Sequence, residues 1–524
     1  MNAIEWLLQI PQKNARRDFL IDTISQRMIT FEEYHRAALA IAQDLKKRGL
    51  GRGDRVALLL NNSSALATIY LGCLYAGLVT VPINPIFNTK EIEFMVSYSK
   101  AKILVVSPET FQQVNKSKII ADGIKILALL DRKNLKELSI GIEVWDTEKL
   151  ELEPDISPFE GVSSEDIMTI VFTSGTTAHP SAVVHKIADM IDNARLFNSA
   201  MKIGPDNRFY GILSMTYLGG YYNLLMLPYV GTSSVVLSHA FDARLALDFW
   251  GPAQRNHVNT LWLVPTILSI LLRTDRGQEG ERFCRENVRL SLVGTAPLPL
   301  KLRHDFEKKY GVTLYENYGL TETFFITTNI PYTPIIDGSA GKVLPGIELQ
   351  IRDPQGNSLT QDLEGEIYVK TPYIMKEISN PDKDAPLGFS KIDWFATGDI
   401  GRLEDSACLY ITGRLKDMII RGGINISPSS IERILTSHPG VMECAVIGVP
   451  HDIYGEGIAA IIKIKPGIKF EDMKTELIKM CKEHLGATKQ PSYILEIEEF
   501  PYNAAGKIQK SKLKAWTEAR ISRE

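Results

Sequence analysis

Ile167-Met168-Thr169-Ile170-Val171-Phe172 runs straight into Thr173-Ser174-Gly175-Thr176-Thr177, an apolar stretch opening into a loop of hydroxyls and glycine. The apolar stretch reads as a strand. The loop after it can turn backbone N–H groups and Ser/Thr hydroxyls toward phosphate oxygens. Near the C-terminus, Asn503-Ala504-Ala505-Gly506-Lys507-Ile508 carries a lone lysine on a turn of small residues, from which it can swing into a site. A phosphate cradle and a mobile cation point to chemistry at a nucleotide phosphate. Ser/Thr/Gly clusters are often plain loops, so other motifs must support that reading. No G-x-x-x-x-G-K-[ST] is present, which excludes a Walker-type NTPase, and no G-x-G-x-x-G follows a strand.

Outward from this loop, strand-like and helix-like stretches alternate. Residues 55–60 read as a buried strand, 65–75 as a helix, 79–82 as a strand, 90–99 as a helix and 101–106 as a strand. Continuous Val/Ile/Leu strands alternating with helices argue for parallel sheets covered on both faces. The theme recurs at 261–265 and 290–294. After Ser339 the texture changes to short β-rich runs, 348–351 and 365–369, separated by Pro and Gly, as in a small antiparallel unit. A further shift follows Gly413-Arg414-Leu415-Lys416-Asp417. The remainder reads β-α-β-β-α, with helices at 430–435 and 470–484 and strands at 445–449 and 459–464. The expected fold class is α/β. A large N-terminal domain, 1–412, divides into parallel-sheet subdomains at 1–165 and 166–338 and a β-rich subdomain at 339–412, and a small α+β domain spans 418–524. With ~150 residues per domain, a chain of 524 residues has room for roughly three such units.

Composition sets limits. Apolar content of 44% and charged content of 23% are ordinary for a globular protein, and a net charge of −3 gives no electrostatic footprint for nucleic acid. Five cysteines are scattered without a C-x-x-C pair, which suits free thiols in a reducing cytosol. Met1-Asn2-Ala3-Ile4-Glu5-Trp6 lacks the basic and apolar regions of a signal peptide. Residues 56–89 are uncharged, but Asn61-Asn62-Ser63-Ser64, Gly72, Gly77 and Pro82 break them into strand, helix and strand. A membrane span needs ~20 continuous apolar residues. The expectation is a cytoplasmic protein with no transmembrane segment and no nucleic-acid partner.

Three further motifs keep company with the phosphate loop. Tyr318-Gly319-Leu320-Thr321-Glu322-Thr323, after a strand at 313–315, sets an aromatic ring, a hydroxyl and a carboxylate on one turn. Such groups can stack on a base, bond a phosphate and hold Mg²⁺ through oxygen. Gly294-Thr295-Ala296-Pro297 ends another strand with small residues that let a planar ligand approach the backbone. Thr397-Gly398-Asp399 offers a carboxylate suited to ribose hydroxyls, although a lone Asp is more often a surface turn.

In this order, together with Val81-Pro82-Ile83-Asn84-Pro85 and Gly413-Arg414, these motifs resemble the ANL superfamily of adenylate-forming enzymes: acyl-CoA synthetases, nonribosomal-peptide adenylation domains and luciferases. The resemblance covers nearly the whole chain. It implies ATP-dependent conversion of a carboxylic acid to acyl-AMP with release of pyrophosphate, then thioester formation with CoA. By that resemblance Thr173, Ser174, Gly175, Thr176 and Thr177 cradle the β- and γ-phosphates, and Gly294, Thr295, Ala296, Glu316, Asn317 and Tyr318 form the adenine pocket. Thr321 contacts the α-phosphate, Glu322 helps bind Mg²⁺, and Asp399 and Arg414 hold the ribose. Lys507 bridges the substrate carboxylate and the α-phosphate. Residues 413–417 form the hinge, with Lys416 as the hinge residue, about which the mobile C-terminal domain rotates. Gly422 and Gly423 then line the pantetheine channel.

Two departures stand out. The family loop continues T-G-x-P-K-G, whereas this chain reads Thr177-Ala178-His179-Pro180-Ser181-Ala182, so a lysine facing pyrophosphate is missing and Lys186 or Mg²⁺ is left to compensate. Where many acyl-CoA synthetases carry P-x-F-H-x-x-G, residues 213–219 lack the histidine. The acyl-pocket stretch, Thr216, Tyr217, Gly220 and Tyr221, offers no carboxylate for an ammonium group, which favours acyl over amino-acid substrates. Asp242 reads as a helix N-cap rather than an amino-acid ligand. Tyr217, Gly220, Tyr221 and Pro265 are expected along the tunnel, and the two tyrosines suggest a short or aromatic acid. A carrier-protein phosphopantetheine is the alternative acceptor, because the channel is shared. Loss of catalysis, leaving a nucleotide-binding partner protein, is the reading from a different class.

Overall fold

The computed structural model describes all residues except 116, 122, 130–141, 148, 151–156, 174–180, 276, 375–377, 380–392, 405–406, 503–507 and 522–524. Apart from Arg55 and Thr80, Arg55–Leu59, Val79–Pro82 and Ile103–Val106 are apolar, and they are buried almost throughout, as parallel strands covered on both faces must be. They pair in parallel, with Val56 opposite both Thr80 and Ile103. Ser63 caps the intervening helix Ser64–Tyr75 by accepting from the Leu66 N–H. That helix is buried nearly all round, because it packs on Phe31–Lys47. A Cβ at Gly72 would come within 2.5 Å of Ile41, so glycine sets the closeness of the two helices. The uncharged stretch is therefore a buried layer of the fold, and no helix among the described residues is long and apolar enough to cross a membrane.

Two large sheets dominate. One has eight strands in the order Ile378–Ser379, Ser181–Lys186, Ile167–Thr173, Val79–Pro82, Arg55–Leu59, Ile103–Val106, Lys125–Leu129 and Ile142–Trp145. The other has nine: Lys342–Val343, Phe324–Thr328, Leu314–Leu320, Leu290–Val293, Thr260–Leu263, Arg208–Gly211, Ser234–Leu237, Asp18–Asp22 and Arg27–Thr30. Neither sheet follows a sequence division at residue 165. Asp18–Asp22 joins the second sheet through Leu20 opposite Val235, and Ile167–Thr173 joins the first through Thr169 opposite Thr80. An open edge offers unpaired N–H and C=O groups, and it is closed by whichever strand can reach it, near in sequence or far.

Smaller units follow. Glu348–Arg352, Gly365–Lys370, Phe395–Leu403 and Leu409–Arg414 form a four-stranded antiparallel sheet, the unit expected after Ser339. The C-terminal sheet joins Ile419–Arg421, Ile424–Ile426, Val441–His451, Gly455–Ile464 and Tyr493–Glu496. Its two long strands exceed expectation because they form one continuous hairpin, paired from Val441 opposite Ile464 to His451 opposite Gly455. Helix Phe470–His484 keeps the boundaries read from sequence, while strand Tyr493–Glu496 and helix Lys510–Ile521 were not anticipated. All five cysteines are buried and none forms a disulfide, and burial pushes the Cys73 thiol up to about 12, so it stays protonated.

Candidate functional site

The phosphate-loop candidate begins at the end of strand Ile167–Thr173. Ile167–Thr173 pairs antiparallel with Ser181–Lys186, and Thr173 faces Ser181 at the open end. There the Thr173 hydroxyl donates to the Ser181 carbonyl at 3.4 Å. Ser174, Gly175, Thr176 and Thr177 lie outside the described residues, as do Ala178, His179 and Pro180. Lys186 ends the returning strand, five residues from Ser181, which at ~3.4 Å per residue puts it about 17 Å along the strand. It pairs with Glu165 at that far end. Lys186 therefore cannot stand in for the lysine missing at 181, because strand direction carries it away from the loop.

Across the molecule, Leu290–Val293 and Leu314–Leu320 run parallel, with Val293 opposite Glu316. The Asn317 amide donates to the Val293 carbonyl at 2.9 Å, and its oxygen would sit 2.5 Å from a Cβ at 294. Glycine at 294 is what this approach requires. Thr295 follows at φ +74°, a left-handed backbone that a β-branched residue rarely adopts, and is exposed at the strand end beside half-buried Ala296. The strand expected at 313–315 continues to Leu320, so Tyr318 and Gly319 lie on it, and only Thr321-Glu322-Thr323 form the turn. The reason is tertiary. Phe324–Thr328 returns antiparallel with a bulge between Tyr318 and Gly319, and a Cβ at 319 would lie 2.1 Å from the Phe324 carbonyl. Thr321 and Glu322 are half-buried on the turn. Among the described residues no cluster of three or more His, Cys, Asp or Glu could hold a metal. A cation beside Glu322 would have to take its other oxygens from phosphate and water.

Asp399 is not the surface turn that a lone aspartate suggests. Its side chain is 5% exposed, opposite Arg414 in the register of Phe395–Leu403 with Leu409–Arg414. One carboxylate oxygen receives the Tyr318 hydroxyl at 2.8 Å, and the other meets Arg414 Nε at 3.0 Å. Burial, with Asp399 beside it, pushes the Tyr318 hydroxyl well above its ordinary range, so it remains a donor. A carboxylate has about four acceptor positions, so capacity for ligand hydroxyls remains. The strand that bears the aromatic of the proposed base pocket thus orients the carboxylate of the proposed ribose contact.

The acyl-pocket candidates divide. Thr216 is buried, its hydroxyl 2.8 Å from that of Ser214, which accepts from the Asn84 amide at 3.1 Å. Tyr217 is half-buried, and Pro265 begins helix Pro265–Thr274. Gly220 is seated on the Ser214 carbonyl, 2.1 Å from where a Cβ would stand. Tyr221 corrects an expectation: it has no exposed surface and stacks on Tyr70 at 3.9 Å, because the helical turn Leu218–Tyr221 rolls it into the core. Asp242 caps Ala243–Leu247 by accepting from the Arg244 and Leu245 N–H groups, the role read from sequence.

The C-terminal unit presents its own groups. Lys416 lies in the turn Leu415–Asp417, and burial, with Arg414 nearby, lowers its amine. Ser427 donates to the Thr412 carbonyl at 2.6 Å, tying the start of the unit to the preceding strand. Gly422 and Gly423, at φ +57° and +81°, make the exposed turn between Ile419–Arg421 and Ile424–Ile426. Lys507 lies outside the described residues, and its flanks Tyr502 and Ile508 pair across an antiparallel bridge.

A family model for AMP-binding enzymes matches residues 8–378, and one for the AMP-binding enzyme C-terminal domain matches residues 430–507. The chain is an adenylate-forming AMP-binding enzyme. A 2-succinylbenzoate–CoA ligase of Bacillus velezensis is 30% identical to it over 524 residues, covering 99% of both chains. A sulfoacetate–CoA ligase of Cupriavidus necator is 27% identical over 501 residues, covering 95% of this chain and 94% of its own. In structure, an anthranilate CoA ligase in complex with anthranoyl-AMP superposes with a TM-score of 0.88 at 25% identity, covering 100% of this chain and 98% of its own.

Sequence reasoning placed Glu316 in the AMP-binding enzyme's base pocket but missed its partner. Arg303, 3% exposed on helix Leu300–Tyr310, has Nη1 3.6 Å from the Glu316 carboxylate. Burial pushes Glu316 from 4.5 up to about 7; Arg303 opposes the rise, and Glu307 and Asp337 add to it. The folded protein thus keeps a proton there that the unfolded chain gives up. Its contribution to stability is full below pH 4.5 and is lost as pH rises through 7. Glu316→Gln keeps the shape and cannot ionise. Its stability relative to the parent is expected to rise by roughly 1–2 kcal/mol between about pH 5 and pH 8, read from denaturant midpoints. A difference that stays flat with pH would remove Glu316 as a titrating group.

Proposed function

We propose that this enzyme activates a carboxylic acid with ATP to acyl-AMP and pyrophosphate, then passes the acyl group to the thiol of CoA. The carrying observation is the Tyr318–Asp399–Arg414 arrangement beside the Thr321–Glu322 turn. It supports ribose binding next to a phosphate and metal contact. Gly294, Thr295, Ala296, Glu316 and Asn317 frame the base, and Asp399 and Arg414 hold the ribose hydroxyls. Thr321 bonds the α-phosphate. Glu322 supplies the protein oxygen to Mg²⁺, which usually keeps one or two carboxylates plus phosphate and water. Bound there, Mg²⁺ would offset phosphate charge. Thr173 and residues 174–177 cradle the departing phosphates, and Lys507 stabilises the charge that develops as the carboxylate attacks. Rotation about Lys416 then withdraws Lys507 and brings Gly422 and Gly423 to the thiol channel. The organisation into a large domain 1–412, hinge 413–417 and small domain 418–524 serves these two half-reactions.

Substrate-dependent ATP–pyrophosphate exchange over short, long, aromatic and amino acids, followed by thioester assays with CoA and with a holo carrier protein, tests this reading. Exchange with acids and thioester formation on CoA are expected, with a short or aromatic acid preferred because Tyr217 narrows the pocket. Exchange with amino acids alone, or none despite nucleotide binding, would sink it. Turnover on the carrier protein alone would reassign the acceptor. Ser181→Lys restores a compact cation beside the departing pyrophosphate and is expected to speed adenylation about tenfold. If adenylation were unchanged or slower, the loop would be a different working solution rather than a deficit.

A further inference from the structure

His185 lies in Ser181–Lys186, the strand returning from the phosphate loop, with no exposed surface. Ala182 and Val184 on that strand pack into the layer behind the eight-stranded sheet. Alternation along a strand turns His185 the other way. Its ring lies 4.2 Å from that of Phe324, tilted by 39°, on the nine-stranded sheet. Phe324 is the first residue after the Thr321-Glu322-Thr323 turn and sits at φ +56°, a conformation that bulky side chains avoid. It is held there on several sides. Tyr222 packs on the same ring at 4.8 Å and donates its hydroxyl to Asn193 at 2.8 Å, and the Asn193 amide donates to the Phe325 carbonyl at 3.2 Å. His185, Tyr222 and Phe324 thus form a platform under the turn, and His185 ties that platform to the strand leaving the phosphate loop.

A histidine is a costly choice for this position. Burial lowers its ring to about 3, with the Thr321 main chain acting in the opposite direction, so the imidazole is neutral. The Thr321 main chain is near enough to influence the ring, yet neither ring nitrogen makes a hydrogen bond in the unliganded protein. Buried polar atoms without partners destabilise a fold, and an apolar ring would avoid that. Catalytic-site hydrogen bonds are often long in the unliganded protein and tighten in the complex.

We propose that His185 is a positioning residue that fixes the Thr321–Glu322 turn, its ring N–H donating to the Thr321 main-chain carbonyl once nucleotide is bound. The inference rests on reading Thr321 and Glu322 as the phosphate and metal contacts. It predicts that His185 couples the strand flanking the phosphate loop to the turn on the other sheet. The test compares His185→Phe, which keeps a ring but loses the donor, with His185→Gln, which keeps a donor. Three quantities are read for each: Mg²⁺-dependent ATP binding by calorimetry, ATP–pyrophosphate exchange, and Tm. His185→Phe is expected to weaken Mg²⁺-dependent ATP binding about tenfold, the worth of one hydrogen bond, with Tm unchanged or raised. His185→Gln should recover part of the binding. Unchanged binding in His185→Phe, or equal loss in both variants accompanied by a fall in Tm, would overturn the proposal as packing alone. Binding requires no acid substrate, so a parent protein that binds ATP without exchange would refute the adenylation reading while still judging His185. A parent that fails to bind ATP would refute both.

Discussion

Lys507→Ala is expected to slow acyl-AMP formation by about 10²–10³-fold while leaving thioester formation from preformed acyl-AMP within about twofold of the parent. The magnitude is that of removing one preorganised cation from a site where negative charge builds on the α-phosphoryl oxygens as the carboxylate attacks and pyrophosphate leaves. The selectivity comes from the chain around it. Tyr502 and Ile508 bridge on either side of the lysine, and the Tyr502 hydroxyl donates to Glu443 on the long strand Val441–His451. Lys510, three residues further on, sits 3.6 Å from Asp417 and 3.4 Å from Glu432. Both flanks are thus fastened to the C-terminal unit, so a rotation of that unit would carry the lysine with it. Lys507→Arg is expected to rescue poorly, because a planar fork replaces a compact charge. Single-turnover adenylation and thioesterification, measured separately, decide the matter. Equal losses in the two steps would mean that Lys507 does not leave the site between them.

How much of this was legible in the chain depends on whether the deciding interaction was local. Strand Ile167–Thr173, the buried helix Ser64–Tyr75 and the amphipathic helix Phe470–His484 announce themselves through unbroken apolar runs or helical periodicity. The N-cap at Asp242 is equally local. Tyr318-Gly319-Leu320 looked like a turn because glycine marks turns, yet its conformation is set by pairing with Phe324–Thr328. The partners of Asp399 lie at Tyr318 and Arg414, on different strands, so its burial had no signature in Thr397-Gly398-Asp399. Tyr221 reads as a pocket residue until the Tyr70 ring is found against it. His185 stayed hidden for a related reason. Set among Val183, Val184 and Ile187 it looks like an interruption of core, and only the second sheet gives its ring a purpose. Lys186 shows the opposite error, since nearness in sequence to Ser181 suggested compensation that strand geometry forbids.

Asp399→Ala is expected to reduce kcat/KM for ATP by about 10²-fold and also to lower stability, whereas Asp399→Asn should lose activity with a smaller stability change. Charge-assisted hydrogen bonds contribute roughly 1.5–3 kcal/mol each, and ribose hydroxyls would lose one or two of them. The stability term has a separate origin. Removing the carboxylate strands the Tyr318 hydroxyl, which is 8% exposed as a residue and remains protonated because burial opposes its ionisation. Arg414 loses less, because its side chain is 43% exposed and water can replace the partner. Asparagine keeps an oxygen for Tyr318 but cannot pair with the guanidinium, so it separates the two effects. Tyr318→Phe completes the comparison by deleting the donor alone. It is expected to cost about tenfold in kcat/KM, because the carboxylate survives but is oriented by Arg414 only. Steady-state kinetics with ATP varied, set beside thermal midpoints for the three variants, give the answer. If Asp399→Asn matched the parent in kcat/KM, the carboxylate would be a structural strut for Tyr318 and Arg414, and the ribose contact would have to be sought elsewhere on the strand.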